Sequence, residues 1–271
     1  MFPASFDYAK ATSVADAISI LSSVDDAKLL AGGHSLLPLM KLRLASPSMI
    51  VDIGSLTDLS YIEDKGDYVA IGALTRHHDV QNSHLLKSAV PILPYVASKV
   101  GDPAVRHRGT IGGSISHGDG ASDLPAAVLA LDAKLVLTGL RGERVVPASE
   151  FFVGFLETVL GSDELLTEIR VPKFSGGWSF QKFNRRAQDW AIVGVVAVNN
   201  GHTRISLINM GPTPLRATAV EAALADGASI EVASGRASDG LDPPSDLNAS
   251  SDYRRHLAEV LVKRALAEAL G

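Results

Sequence analysis

The sequence predicts an α+β protein of two or three units, and three observations carry that reading. The chain has 271 residues, more than the roughly 150 of a typical single domain. Short β-rich runs and helical apolar stripes succeed one another with no internal repeat. Pro172, followed by Ser175-Gly176-Gly177, interrupts that succession and marks a boundary. Hydrophobic residues at 46% and charged residues at 20% are enough for packed cores and speak against extended disorder.

The first unit, residues 1–55, reads as a βαβ segment. Ser13 with Asp16 three residues on resembles a capping box, with Asp in place of the usual Glu or Gln. The stripe Val14, Ala17, Ile18 and Leu21 then has helical spacing. Ala27 to Ala31 reads as a strand running into Gly32-Gly33, Leu36 to Leu44 as a helical turn, and Met49 to Ile53 as a second strand after Pro47. A parallel pairing of the two strands follows from the intervening crossover.

The second unit, residues 56–172, reads as α+β. Tyr68 to Leu74 predicts a strand, Arg76 to His84 a polar stretch with histidines, and Leu93 to Val100 a helix. Glycines cluster between Gly109 and Gly120. Leu124 to Leu131 and Leu135 to Leu140 resume the helix and strand signals, and Val145-Val146, Phe151-Phe152 and Leu165 to Val171 complete the unit.

The third unit, residues 173–271, opens with Ala191 to Val198 and Thr203 to Ile208, joined by Asn199-Asn200-Gly201-His202. Asn-Gly is a strong hairpin signal. Helices are predicted around Ala217 to Ala225 and from Ser251 onward. The latter has Leu257, Leu261 and Ala265 on one stripe, with Arg254, Arg255, Lys263 and Arg264 outside it. Ala233 to Ser251, rich in Ser, Gly, Asp and Pro, reads as a loop.

Composition narrows the function. A net charge of −5 is a poor match for the dense positive surface that nucleic acid requires. The chain has no cysteine, which excludes disulfides, thiolate zinc sites, a cysteine nucleophile and all-cysteine iron–sulfur clusters on this chain. Met1 to Lys10 lacks the pattern of a secretory signal. The longest apolar run, Trp190 to Val198, falls far short of the roughly 20 residues of a membrane-spanning helix. A cytoplasmic protein is expected.

Chemistry is expected at two glycine pairs, Ala31-Gly32-Gly33-His34-Ser35 after a strand and Gly109-Thr110-Ile111-Gly112-Gly113-Ser114 in the middle of the chain. Glycine permits positive φ and close approach of a ligand to the backbone, and successive N–H groups in such bends form anion nests. Either pair alone is also explained by a tight turn. Together, with Ser35, Ser114 and Ser116 beside them, they match a pyrophosphate clamp. Asp52 follows Gly32 by 20 residues, the spacing of a Rossmann ribose ligand, but Gly-Gly-His-Ser-Leu-Leu lacks the third glycine of that fingerprint. Asp52 therefore reads as a strand-end hydrogen-bonding residue. The adjacent His77 and His78 point apart in a strand and read as surface or loop residues, not metal ligands. No Gly-x-Ser-x-Gly elbow supports a serine hydrolase.

At these glycine pairs the sequence resembles the FAD-binding medium subunit of the molybdenum hydroxylases, the xanthine dehydrogenase and carbon monoxide dehydrogenase family. Ala31 to Leu36 running into Met40-Lys41-Leu42-Arg43-Leu44, then Val51-Asp52-Ile53, carries the first signature. Thr110-Ile111-Gly112-Gly113 with Asp119 and Asp123-Leu124-Pro125-Ala126 carries the second. Arg185-Arg186, Asp189-Trp190-Ala191 and Tyr253-Arg254-Arg255 resemble C-terminal landmarks, so the resemblance spans the chain in order. It implies an FAD-binding, PCMH-like fold: a small α/β subdomain, an α+β subdomain with a mostly antiparallel sheet, and a C-terminal α+β domain.

The resemblance also implies site roles. Ala31, Gly32, Gly33, His34, Ser35 and Leu36, with Thr110, Ile111, Gly112, Gly113 and Ser114, would hold the FAD pyrophosphate. Asp119 belongs to the second signature, and Asp123, 13 residues after Thr110, would bind the polar portion of the cofactor. The strand Leu165 to Ile169, with Leu166 and Ile169 at the site, would border the ring, Lys182 would lie near it, and Trp190 would stand beside the isoalloxazine. A carboxylate accepts from ribityl hydroxyls, a cation near the ring stabilises its reduced anion, and an aromatic face stacks on it. The alternatives are a solvated strand position for Lys182, a core position for Trp190 and a helix cap for Asp123. Ser114 stands where the family commonly has Asn, and Gly120 where Pro is frequent.

By the same resemblance the protein is an oxidoreductase subunit in which FAD is the redox group and no side chain is catalytic. Two 2Fe–2S clusters need thiolates that this chain lacks, so they belong to a small partner subunit, and a molybdopterin-type molybdenum cofactor belongs to a large one. A dimer of heterotrimers is expected, with NAD, oxygen, a quinone or a carrier as acceptor. The alternatives are a stand-alone FAD-dependent oxidase of the vanillyl-alcohol-oxidase type and a non-catalytic assembly module on the same fold.

Overall fold

The computed structural model describes residues 1–271. The first helix, Val14–Ser23, starts where the sequence predicts, with the Ser13 side chain accepting from the Asp16 N–H at 3.0 Å. Asp16 reaches one residue further back than a capping box requires. Its carboxylate accepts from both the N–H and the hydroxyl of Thr12 at 2.8 Å. Ala17, Ile18 and Leu21 are buried, and the strands Ala27–Leu30 and Met49–Asp52 pair in parallel as expected. A further strand, Asp7–Lys10, pairs in parallel on the other side of Met49–Asp52, which is therefore central. Its residues are mostly exposed, so it carries no apolar alternation for a sequence reading to detect. Asp52 is the strand-end hydrogen-bonding residue anticipated: it accepts from the Tyr8 hydroxyl at 2.7 Å and the Gly54 N–H at 2.8 Å.

The second sheet has five strands in the order Ile62–Asp64, Tyr68–Gly72, Leu165–Pro172, Lys134–Gly139, Gly142–Pro147, and every pairing is antiparallel. Helices Ile92–Ser98 and Asp123–Ala130 bury their apolar residues in the same core as Val69, Ile71, Leu135 and Ile169. Two readings of this region change and one helix is added. The polar stretch holds a helix, His77–Asn82. Pro103–Arg108 is a helix capped by Asp102, whose side chain accepts from the Val105 N–H at 2.8 Å, with Pro103 at its first turn. The second glycine pair is not a bend of positive φ but part of helix Ile111–His117, capped by Thr110. Glycine is needed there for close packing. A Cβ on Gly112 would stand 2.5 Å from the Ala73 Cβ and 2.6 Å from its carbonyl oxygen.

The third sheet is antiparallel in the order Gly177–Phe183, Val193–Asn199, Thr203–Ile208, Leu215–Arg216. The predicted hairpin is present, with Asn199 paired to Thr203 and Gly201 at φ +82°. Val195 and Ala197 pack with the C-terminal helix Ser251–Leu270, whereas Val196 and Val198 join the core of the second sheet. Both faces are covered, which is why this strand reads as one continuous apolar run. Asp132, at the end of helix Asp123–Ala130, pairs with Arg204 at 2.6 Å and Arg216 at 3.1 Å across the same junction. A short helix, Ile230–Ser234, precedes the loop. Arg254, placed outside the apolar stripe by helical spacing, is instead fully buried. No helix is long and apolar enough to cross a membrane.

Gly112→Ala is expected to lower unfolding free energy by roughly 1–3 kcal/mol, as overpacking does, because the opposing atoms at Ala73 include backbone. Urea denaturation checks this, and an unchanged midpoint would contradict the packing argument.

Candidate functional site

A cleft of about 940 Å³ runs between the small parallel sheet, the second sheet and the third. That is near the upper end of the range for small-molecule sites. One wall is the bend Ala31 to Leu36 at the carboxyl end of Ala27–Leu30, and all six residues line the cleft. Gly33 has φ +78°, a conformation in which glycine is at ease. A Cβ there would meet the Leu37 side chain at 2.9 Å and not the cleft, so a larger residue acts through backbone strain. Gly32 lies directly on the Arg108 carbonyl, which a Cβ would approach to 2.3 Å, and this contact brings the two glycine segments together.

The two segments differ in what they offer. No hydrogen bond within the chain uses the N–H groups of residues 32 to 36, which leaves a row of donors for an anion. At the second segment the amides are spent on the fold. The Ile111 N–H donates to the Thr75 carbonyl at 3.0 Å, that of Gly112 to Ala73 at 2.9 Å, that of Gly113 to the Thr110 hydroxyl at 3.1 Å, and that of Ser114 to Thr110 at 3.0 Å. Thr110, Gly112, Gly113 and Ser114 do line the cleft, along with Ser116, so this wall offers a close surface and hydroxyls instead of a second nest.

At the other end, Asp123 and Lys182 meet. The sequence reading treats them as separate residues, but Lys182 Nζ donates to Asp123 Oδ2 at 2.7 Å, and the side chains are 6% and 11% exposed. Lys182 also donates to the Lys99 carbonyl at 3.1 Å. It is thus neither free nor solvated. Asp123 is the first residue of its helix, and its Oδ1, buried and without a partner, makes no capping bond. Burial pushes the Asp123 carboxyl up to about 6, and the neighbouring Lys182 charge opposes that rise. A buried oxygen with no partner inside the chain is a ready acceptor for a ligand hydroxyl.

Trp190 is 58% exposed and lines the cleft, so it is not a core residue. Leu166 lines it too. Ile111 and Ile169 do not: both are fully buried in the core of the second unit. Asp119 also stands outside the lining, its carboxylate accepting from the Ala121 N–H at 2.9 Å. His77 corrects the surface reading. It is buried against Gly109 in the cleft wall, and burial with His34, Arg106 and Arg76 nearby holds its pKa down to about 4, so the ring is neutral at pH 7. Leu165, which begins the strand expected to border the ring, lines the cleft as well, whereas sequence reasoning missed the apolar wall of Leu29 and Leu74, whose only signal is its place at strand ends.

The description "FAD binding domain in molybdopterin dehydrogenase" matches residues 4–174, and "CO dehydrogenase flavoprotein C-terminal domain" matches residues 178–269. The carbon monoxide dehydrogenase medium chain of Hydrogenophaga pseudoflava is 41% identical, over 98% of this chain and 97% of that one. The glyceraldehyde dehydrogenase medium chain of Sulfolobus acidocaldarius is 39% identical, over 99% of each. A solved structure of the Hydrogenophaga pseudoflava carbon monoxide dehydrogenase lacking the Mo-pyranopterin moiety superposes with a TM-score of 0.95 at 43% identity, covering 100% of this chain and 99% of that one.

The native Asp123 carboxyl binds its proton more tightly than the ordinary carboxyl at 3.8. Folding is therefore favoured by protonation, and Asp123's contribution falls as pH rises from about 4 to about 6, by on the order of 3 kcal/mol. Asp123→Asn should gain stability relative to wild type across that window. Urea unfolding of the FAD-free proteins through the window measures it, and a pH-independent difference would count against the assignment.

Proposed function

Since the chain belongs to the FAD-binding family of the molybdopterin dehydrogenases, the carbon monoxide and xanthine dehydrogenase type, we propose that it is the electron-transfer subunit of a molybdenum hydroxylase complex. The observation that carries this reading is the cleft itself. A row of unused amides stands at one end, and a buried carboxylate oxygen without a partner, beside a lysine, stands at the other. Those features fit a dinucleotide with a diphosphate, a polyol and a ring.

The residues divide the work. The amides of Gly32 to Leu36 neutralise the diphosphate, and the hydroxyls of Thr110, Ser114 and Ser116 face it from the other wall. Serine at 114 keeps a hydroxyl but has less reach than the family's usual asparagine. Asp123 Oδ1 accepts from a polyol hydroxyl, while its other oxygen holds Lys182 in place. Lys182 sets positive charge beside the ring and Trp190 offers an aromatic face. When bound, FAD supplies two-electron chemistry, and positive charge near it favours the reduced state. Ile111 and Ile169 support these walls from behind, and Asp119 shapes the turn before Asp123.

A chain without cysteine cannot ligate the 2Fe–2S clusters that would supply electrons. We therefore place them on a small partner subunit and the molybdenum cofactor on a large one, in a dimer of heterotrimers, with electrons leaving to NAD, oxygen, a quinone or a carrier. A cytoplasmic location is part of the same proposal. We divide the chain at residues 1–55, 56–172 and 173–271.

Purification should yield a protein with a bound-flavin absorption spectrum, and a well-folded, colourless chain that takes up no FAD would refute the proposal. Asp123→Ala should weaken FAD binding at least about tenfold, the value of a charge-assisted hydrogen bond, in a fluorescence titration. Gly33→Val should abolish it by forcing the amide row out of the left-handed turn.

A further inference from the structure

The Tyr253-Arg254-Arg255 motif has no role in the cleft described above, yet Arg254 is fully buried and makes connections that lead back to it. Its Nη1 donates to the Ile192 carbonyl and, at 3.4 Å, to the Asn209 carbonyl, while Nη2 pairs with Asp246 at 2.7 Å. Asn209 is a second branching point. Its side-chain amide donates to the Ala191 carbonyl at 2.8 Å, and its backbone N–H donates to the Gly120 carbonyl at 2.8 Å. One asparagine thus touches the residue that follows Trp190, the segment that leads into Asp123, and the arginine of the C-terminal helix.

In the loop between strands Gly177–Phe183 and Val193–Asn199, Ala191 and Ile192 are buried in the two neighbouring cores, and residues 184–190 have little else to fix them. Its own bonds are local: Asp189 to Arg186, and the Asn184 side chain to the Arg186 carbonyl at 2.6 Å. Its far end is tied where the Ile192 N–H donates to the Phe183 carbonyl at 2.7 Å, and Tyr253 packs edge-on against Phe183 with ring centres 6.4 Å apart. Two successive carbonyls after Trp190 are therefore held by side chains from distant elements. Burying an arginine is costly, and although its Nε finds no partner, the two Nη groups of Arg254 hold the base of this loop and Asp246. Asn209 has φ +60°, a conformation that asparagine tolerates better than most residues, so the branching point is built on a backbone geometry few side chains accept.

Resting on the reading that the cleft seats FAD, we propose that Asn209 and Arg254 are positioning residues that hold Trp190 in register with the Asp123–Lys182 pair. They touch no ligand. They act by fixing the carbonyls of Ala191, Ile192 and Gly120, and so the separation between the aromatic face and the carboxylate.

Asn209→Gly tests this cleanly, because glycine keeps the left-handed backbone and removes only the amide side chain. Arg254→Lys is the second variant, since lysine keeps the charge but cannot serve all three acceptors in the guanidinium geometry. Both are made in the full chain with Trp178→Phe, leaving Trp190 as the single tryptophan. Acrylamide quenching of Trp190 in the FAD-free chain should increase in each variant. FAD dissociation constants should rise by about tenfold, as for one lost hydrogen bond, and the flavin midpoint potential should move. Unchanged quenching, affinity and potential in both variants would overturn the proposal. Failure of the parent chain to bind FAD would remove the functional reading instead, and the quenching experiment, which needs no FAD, would still decide the positioning claim.

Discussion

Lys182 and Asp123 come from different sheets' surroundings and meet in the lining of the cleft, and the candidate site depends on that meeting. Asp123 opens helix Asp123–Ala130 of the second unit, whereas Lys182 belongs to the edge strand Gly177–Phe183 of the third. Taking two charges out of water is expensive, and one hydrogen bond between them does not satisfy four lone-pair positions on the carboxylate. The unmatched Oδ1 is where the fold leaves that cost unrecovered. A ligand hydroxyl at that oxygen would supply the missing bond, so one of the unsatisfied buried atoms of the free chain would also serve as a specific binding determinant.

The glycine-rich wall follows a different rule. Two glycine segments with similar composition have opposite hydrogen-bond accounts. The first ends a parallel strand, turns through Gly33 and keeps its amides free, while the second begins a helix and spends its amides on Thr75, Ala73 and Thr110. Glycine at 112 lets that helix lie against Ala73, and glycine at 32 lets the first bend lie against Arg108. The symmetrical picture of two facing nests gives way to one nest facing a tightly packed wall.

Much of this was legible in the sequence. Ser13, the Asn-Gly hairpin and the parallel pair around the first crossover follow from capping, turn chemistry and connection rules that act over a few residues. The order of the glycine and aspartate signatures marked the cleft. What escaped depended on distance or on accounting. Asp7–Lys10 is an exposed edge with no apolar pattern. Asp123 and Lys182 are 59 residues apart, and nothing in either local sequence declares the other. Helical spacing correctly gave the stripe of Leu257, Leu261 and Ala265 but treated Arg254 as a surface charge, because periodicity cannot register a guanidinium that buries itself among carbonyls.

The third unit is accordingly part of the site and not an appendage to it. Its strand Val193–Asn199 is covered on one face by the C-terminal helix and on the other by the core of the second unit, so neither face is free to slide. Arg204 and Arg216 lock the same junction through Asp132. Lys182 and Trp190 lie on either side of the loop that this sheet carries, one buried and one open to solvent. Rigid seating of the sheet fixes the lysine directly. The tryptophan, eight residues further along the chain, needs its own anchor, and the buried side chains behind Ala191 and Ile192 supply it. A ring between those two residues would thus be held on a scaffold whose stiffness comes from packing on one side and from hydrogen-bonded carbonyls on the other.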